Sequence, residues 1–479
     1  MALSLTEKVV HVQNPRLKPR LNTRPFRGNM PTHEIMHKIA FHRRILPWIF
    51  VLVFLVMAPA VVFYTAGYRW NQKKGVLERN GTLILDTMPV GASIDLNGQR
   101  QTDITPVTLQ NVAPGSYDIS LTLQGYHPWS KTLYVEPERV TFASQILLWP
   151  IAEPQRVIQE NICKTYGDPE GNLLLVATCI DNNITSLKII ESKTSKVRGT
   201  LQVNEIMNID QADWHESDGQ ALIYGQSSGT PATWLMESSP ASLTRLPAGT
   251  YHWNGSRING VADDQLLTIQ TNGSLERQNK SPQVRDVLQN ATLKHVSGTA
   301  DLVLVLDEHT NQGIVLPPGN WNFHSQNNSA LLLKDGDNWL WLDTSQNPVH
   351  SLLAQGAWPM PLTIKRQINY LLVNDNEVWT WLPSSDPLLI YRQSDPVRAA
   401  AWHTAGRDIL VATDKEVLMF NLDDRNGRYR TTLATFDRIF DATIQNDAAF
   451  VAGVKDGNPG LWRLPLTTEK IFAPLGKLY

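Results

Sequence analysis

The sequence predicts an all-β protein carried on one N-terminal membrane-spanning helix, and three observations predict it. An uncharged, apolar stretch of 24 residues lies at 45–68. Behind it, residues 79–150 alternate apolar and polar side chains between turn residues. From 151 to 479 a strand–turn–strand unit recurs at a spacing near 40 residues. The expected order is a basic cytoplasmic tail (1–44), a transmembrane helix (45–68), a small β-sandwich (79–150) and a β-propeller (151–479). Eight blades are favoured and seven are the alternative.

The helix comes first. Residues 45–68 read ILPWIFVLVFLVMAPAVVFYTAGY, and a spanning helix needs about 20 apolar residues. Trp48 near one end and Tyr64 and Tyr68 near the other suit the two membrane interfaces. Pro47 is expected at the helix start, where a missing N–H costs little. Pro59 is expected to kink a span that tolerates it. A preceding tail of 44 residues is unlike a cleaved signal peptide and favours a retained anchor.

Charge sets the expected orientation. The chain of 479 residues holds 43 Lys+Arg and 45 Asp+Glu, a net charge of −2. Residues 1–44 hold nine Lys/Arg against Glu7 and Glu34, a balance of +7, which leaves −9 for the rest. Basic flanks stay in the cytoplasm, so the N-terminus is expected inside and the β domains outside. The tail, with Pro15, Pro19, Pro25 and Pro31, is expected to be disordered and drawn to anionic lipid. The near-balance of charge over the whole chain argues against nucleic acid as a partner.

In the small sandwich, Thr82–Thr87, Ala92–Leu96, Tyr117–Leu123 and Lys131–Val135 alternate as antiparallel strands do. Asn97-Gly98 suits a tight hairpin because both residues tolerate positive φ. The run Leu83-Ile84-Leu85-Asp86-Thr87-Met88-Pro89-Val90-Gly91-Ala92 resembles the signature of the PEGA domain, a bacterial surface β-module. Leu96-Asn97-Gly98, Thr105-Pro106, Pro114-Gly115-Ser116-Tyr117 and Gly125-Tyr126 continue that pattern in order. Val90 stands where the naming motif has Glu, in a turn. The resemblance implies an extracytoplasmic, non-catalytic module and names no ligand.

In the repeat region the apolar strands are Leu173–Val176, Ala221–Tyr224, Leu266–Ile269, Leu302–Val305, Leu331–Leu333, Tyr370–Val373, Ile409–Val411 and Phe450–Ala452. They are expected to open each unit. Aromatic partner strands follow late in the chain, at Trp339–Leu342, Trp379–Leu382, Leu418–Leu422 and Leu461–Leu464. Such short strands at a period near 40, with no helical stretches, mark a propeller. The shorter spacing between Val303 and Leu332 suggests an abbreviated blade. Val157-Ile158 and Lys470-Ile471-Phe472 are the candidate closing segments.

Eleven of the 15 tryptophans follow residue 150. In a Trp-x-Trp strand both rings share a face, and packing between blades is the expected use. Trp253, Trp321 and Trp358 fall outside the paired strands, near loops, and are the candidate ligand-binding residues. Cys163 and Cys179 flank Asp168-Pro169-Glu170-Gly171-Asn172 symmetrically and are the candidate disulfide.

Three motifs suggest chemistry and lack its context. His33-Glu34-Ile35-Met36-His37 matches a zinc-protease pattern, in a tail with no third ligand. Gly225-Gln226-Ser227-Ser228-Gly229 matches a nucleophile elbow, without the helix that must follow. Asp335–Asn338 and Asn374–Glu377 crowd oxygen ligands but lack a calcium loop and read as turns. No catalytic residue, metal site or cofactor is expected.

The expected function is a membrane-anchored binding or scaffold protein of the bacterial envelope. Its partners would be the lipid bilayer and a cell-wall glycan or envelope protein. Two alternatives are kept. One is a propeller-channel hydrolase or lyase, if His252, His295, His324 and His403 converge in one pocket. The other is an envelope sensor reporting to the basic tail.

Overall fold

A computed structural model describes the chain apart from residues 1–38, 66, 72–74, 182, 216–218, 264, 271–273, 289–290, 298–300, 307–312, 328–329, 344–349, 356–359, 365–366, 383–384 and 468–479. The His33–His37 motif, Trp358 and Lys470-Ile471-Phe472 lie outside the described residues.

The chain forms two units, divided between Leu77 and Glu78. The first holds the helix Ile39–Thr65, of which Leu46–Thr65 is apolar and long enough to cross a membrane, with none of that span buried in protein. Twenty residues at 1.5 Å each cover about 30 Å, the thickness of the hydrocarbon layer. The helix begins before the apolar stretch, so Pro47 sits inside it and not at its start. It ends at Thr65, and Tyr68 opens the short strand Tyr68–Asn71 instead of closing the span. The Tyr68 ring stands edge-on to Phe63 at 5.4 Å.

The second unit begins with a two-layer sandwich. One sheet runs Gln99–Ile104, Ser93–Leu96, Gly115–Thr122, Trp129–Val135. The other runs Val107–Val112, Gly81–Met88, Val140–Leu147. Period-two burial along Gly81–Met88 sends Leu83 and Leu85 into the core with Ile94, Ile119, Leu121, Leu133 and Ile146. Asn97 and Gly98 have φ of 51° and 76°, as the hairpin requires. Strands Gly81–Met88 and Val140–Leu147 pair in parallel, a departure from the all-antiparallel expectation. Gly81 has no room for a side chain, since a Cβ would lie 2.3 Å from the Glu136 carbonyl.

Among the described residues, eight four-stranded antiparallel sheets follow, arranged as propeller blades. The innermost strands of blades 1 to 8 are Ile162–Gly167, Met207–Trp214, Gly249–Asn254, Val284–Leu288, Asn322–Asn327, Met360–Ile364, Val397–Trp402 and Arg438–Gln445. Large apolar side chains fill the gaps between blades. Trp339 and Trp381 are fully buried beside Leu332, Tyr370 and Leu372 between blades 5 and 6, so the Trp-x-Trp pairs pack blades together. Blade 8 closes the ring by taking Gln155–Ile158 as its outer strand against Asn458–Pro465. Ile162, Leu174 and Val176 of blade 1 then pack on Phe450 and Leu461 of blade 8.

The apolar runs in the sequence are not the opening strands. They form the second strand of each blade, except Leu266–Ile269 and Leu302–Val305, which fall in third strands. That offset accounts for the short spacing before Leu332. Blade 4 is complete, with Val284–Leu288, Ala291–His295, Leu302–Val305 and Gly313–Val315.

Cys163 and Cys179 are disulfide-bonded, with Cα atoms 5.8 Å apart, and tie the first two strands of blade 1. A bridge closing about 15 residues contributes about 3 kcal/mol in the chain-entropy account. Urea unfolding with and without reductant is expected to show a loss of that order. An unchanged midpoint would mean that the bridge does not restrict the unfolded chain.

The sandwich is tied to blade 7. Lys131, whose side chain is 3% exposed, reaches Asp423 with Nζ–Oδ2 at 3.3 Å. Arg425 donates to the Phe142 carbonyl at 2.8 Å and to Asp423 at 2.7 Å. The Tyr429 hydroxyl donates to the Pro128 carbonyl, and its ring lies 5.9 Å from Trp129. Trp149 stands edge-on to His403 at 5.2 Å.

Candidate functional site

The innermost strands carry a repeated irregularity. In six blades the register with the second strand slips by one residue, at Cys163, Asp210, Arg285, His324, Arg398 and Phe440. Such a bulge re-aims a side chain. Two of these residues, Asp210 and His324, line one cavity of about 320 Å³ together with Gln211, Tyr224, His252, Asn322, Phe323 and Lys334. The cavity gathers residues from blades 2, 3 and 5.

Its floor rests on Asp286 of blade 4, which is fully buried. Oδ1 accepts from the Thr250 hydroxyl at 2.8 Å and from its neighbour's N–H, at Val287, at 2.9 Å. Oδ2 accepts from the Phe323 N–H at 3.1 Å and from His252 Nε2 at 3.0 Å. Blades 3, 4 and 5 are therefore joined at one carboxylate. With Nε2 committed to Asp286, Nδ1 is the ring nitrogen His252 has left for the cavity.

Electrostatics separates the two histidines. Burial disfavours a charged His252, but the Asp286 charge and hydrogen bond, with Asp213 adding to them, raise its pKa. His324 is pushed down to about 3 by burial, by Lys334 and by His252, and is neutral. Lys334 is held below the usual lysine range by burial, which Asp210 and Asp337 oppose. Its ammonium lies 5.2 Å from the Trp339 ring centroid, and His324 stands 5.0 Å from the same ring. Behind the wall, burial raises Asp213 to about 6 against the pull of His252 and His215.

Of the four histidines in different repeats, only His252 and His324 line this cavity. His295 ends the exposed side of a second strand, and His403 is buried, accepting from the Ala405 N–H at Nδ1. Among the described residues no three His, Cys, Asp or Glu side chains form a metal-holding group.

Neither described candidate tryptophan is an open binding platform. Trp321 is 3% exposed, packed on Leu316, Phe323 and Leu331, with its N–H donated to the Pro317 carbonyl. Its loop position hid a core role. Trp253 lies within the innermost strand of blade 3, half-buried, donating to the Asp213 carbonyl at 2.9 Å and facing His215 at 4.7 Å. The Gly225–Gly229 motif is a hairpin turn with Ser228 and Gly229 at positive φ, leading into the strand Thr230–Ser238. Asp335–Asn338 and Asn374–Glu377 are likewise hairpin turns.

The sequence did carry a sign of Asp286. Val284-Arg285-Asp286-Val287 and Ile439-Phe440-Asp441-Ala442 place an Asp after the bulge in blades 4 and 8. Asp441 does the same work, accepting from the Thr165 N–H of the next blade at 2.8 Å and from the Ala442 N–H at 2.9 Å.

The fold and its channel cavity define a class: an all-β body made of a small sandwich and a propeller, behind one helix of spanning length. The sandwich is the part that comparison with known proteins identifies, since residues 80–147 match the PEGA domain. No curated protein matches the chain. Among solved structures it is similar to the β-propeller domain of Cps50 (Swd1) from Myceliophteria thermophila, at 11% identity and TM-score 0.41, over 67% of this chain and 100% of that one. It is also similar to AztD from Citrobacter koseri, at 12% identity and TM-score 0.37, over 60% of this chain and 96% of that one. A third is the dihydro-heme d1 dehydrogenase NirN, at 11% identity and TM-score 0.40, over 63% and 74%. At these values no activity passes from them to this chain.

Proposed function

We propose that the chain is a membrane-anchored, extracytoplasmic binding protein of a bacterial envelope. The helix tethers it, the PEGA domain is a fixed spacer, and the propeller is the binding platform, with the channel cavity as its site. The junction between PEGA domain and blade 7 carries this reading. A flexible tether needs no ordered contact with its cargo. Here Lys131 is buried to reach Asp423, and Arg425, Tyr429 and Trp149 add bonds and ring contacts from both sides. Burying a lysine is unfavourable unless it is paired, so these contacts fit a spacer that must hold its platform in one orientation.

The test uses the full chain in lipid nanodiscs, passed over purified cell-wall polymer and, separately, over solubilised envelope proteins. Retention of one of the two is expected. Capture of neither would count against the binding reading. A second reading, a channel enzyme, is favoured by one observation: Asp286 orients His252 as a general base is oriented. Turnover of a captured ligand that His252→Gln abolishes would support it.

A further inference from the structure

A second cavity, of about 450 Å³, lies where the PEGA domain meets blade 7. One wall is the outer face of a PEGA sheet. Its register sets Asp95 opposite Ser120 and Ser120 opposite Ser130, with Asp118 and Thr132 paired one rung away on the same face. Side chains so paired lie about 5 Å apart, so these polar groups from three strands form one patch. Ile94, Ile119 and Leu121 alternate with them and point into the core. The other wall is the blade 7 loop Asn426-Gly427-Arg428-Tyr429, turned by positive φ at Asn426 (52°) and Gly427 (85°). The contacts of Lys131, Arg425 and Tyr429 fix the two walls relative to each other.

The Asp95 carboxylate and the Ser120 and Ser130 hydroxyls have no partner among the described residues. Asp118 accepts the Thr132 hydroxyl at one oxygen, at 2.6 Å, and keeps the other. Arg428 donates one N–H to the Leu389 carbonyl at 3.4 Å, and a guanidinium has five to give. Lys131 borders the cavity, but its ammonium is committed to Asp423. An anion in this cavity meets two carboxylates, and a cation meets Arg428. A hydroxyl donates to a carboxylate and accepts from a guanidinium, so an uncharged guest with several hydroxyls is matched at both walls. Tyr429 gives the guest's C–H face an aromatic ring to pack on, held in place by Trp129 at 5.9 Å and by the bond to Pro128.

We propose that this junction cavity binds a neutral saccharide, its hydroxyls held by Asp95, Asp118, Ser120 and Ser130 on the PEGA side and by Arg428 on the blade 7 side. A volume of about 450 Å³ is within the range of small-molecule sites and leaves room for a disaccharide. The PEGA domain is then half of a binding site as well as a spacer.

Calorimetric titration of the full chain in nanodiscs tests this, with four probes: maltose, diacetylchitobiose, digalacturonate and alanyl-alanine. One of the two neutral disaccharides is expected to bind at least tenfold more tightly than digalacturonate, whose carboxylates Asp95 and Asp118 repel, and than alanyl-alanine. Asp95→Ala is expected to weaken that binding at least tenfold while leaving the unfolding midpoint unchanged. Ser130→Trp, at an exposed position, fills the cavity and is expected to abolish binding. No binding of either neutral disaccharide, equal or tighter binding of digalacturonate or alanyl-alanine, or binding unchanged in both variants would overturn the proposal. The proposal goes beyond the platform reading and uses no residue of the channel, so failure of these titrations leaves that reading to its own capture experiment.

Discussion

An Asp286→Ala protein is expected to unfold about 3–5 kcal/mol more easily than the native chain, the cost of removing one partner of a buried charged pair. Four donors lose their acceptor together: the Thr250 hydroxyl, the Val287 and Phe323 N–H groups and His252 Nε2. Asp441→Ala in blade 8 is the control. It removes a similar backbone latch that has no histidine partner, and about 1–3 kcal/mol is expected. The two variants also differ in pH dependence. The folded-state pKa of His252 is raised, so its contribution to stability is full below the ordinary histidine value and is lost as pH rises through the raised value. Denaturant unfolding across pH 5–8 is therefore expected to slope in the native chain and in Asp441→Ala, and to lose that component in Asp286→Ala. Equal, flat losses in both variants would show that His252 is not coupled to Asp286.

Truncating Trp381 to Ala is expected to cost a comparable 3–5 kcal/mol, by loss of buried area and by the cavity left between blades 5 and 6. Trp381→Phe is expected to cost much less than its change in volume suggests. The Trp381 Nε1–H is buried without a hydrogen-bond acceptor, so phenylalanine removes an unsatisfied donor along with part of the ring. Trp234 makes the comparison sharp, since its Nε1 donates to Glu205 at 2.9 Å. Thermal unfolding should rank Trp234→Phe as the more damaging of the two Phe variants. The reverse ranking would mean that the Trp381 N–H is satisfied in solution.

What the sequence discloses follows from how strongly each segment is constrained. The helix shows as a charge-free run because lipid admits nothing else, while its start and end shift by a few residues at Ile39 and Thr65. The PEGA strands are plain because one face is buried and the turns need Asn97-Gly98. Second strands such as Asp408–Thr413 are buried on both faces and read as apolar runs. Innermost strands such as Met207–Trp214 alternate poorly, since a bulge breaks the period and the channel side is polar. The period therefore hides these strands, and of the cavity's residues the sequence points to His252 and His324 alone. His252 and Asp286 are 34 residues apart on neighbouring blades, a pairing made by blade-on-blade packing that no local pattern displays. Trp321 misled because a loop address was read as exposure, although its ring fills the space between blades 4 and 5.

The strand Gln155–Ile158 has a bearing on biogenesis. Its partner, Asn458–Pro465, is synthesised some 300 residues later. Bringing together ends so far apart costs about 3–4 kcal/mol more chain entropy than closing a hairpin of a few residues. Blades 1 to 7 are built from sequence-local strands, whereas blade 8 waits for both ends of the domain. Until then Gln155–Ile158 is an unpaired edge, and the faces of blades 1 and 8 that hold Leu174 and Phe450 lie open. A chain stalled before residue 458 thus carries a strand that can seat on another molecule's blade 8, and the interval before closure is when this protein most needs a chaperone.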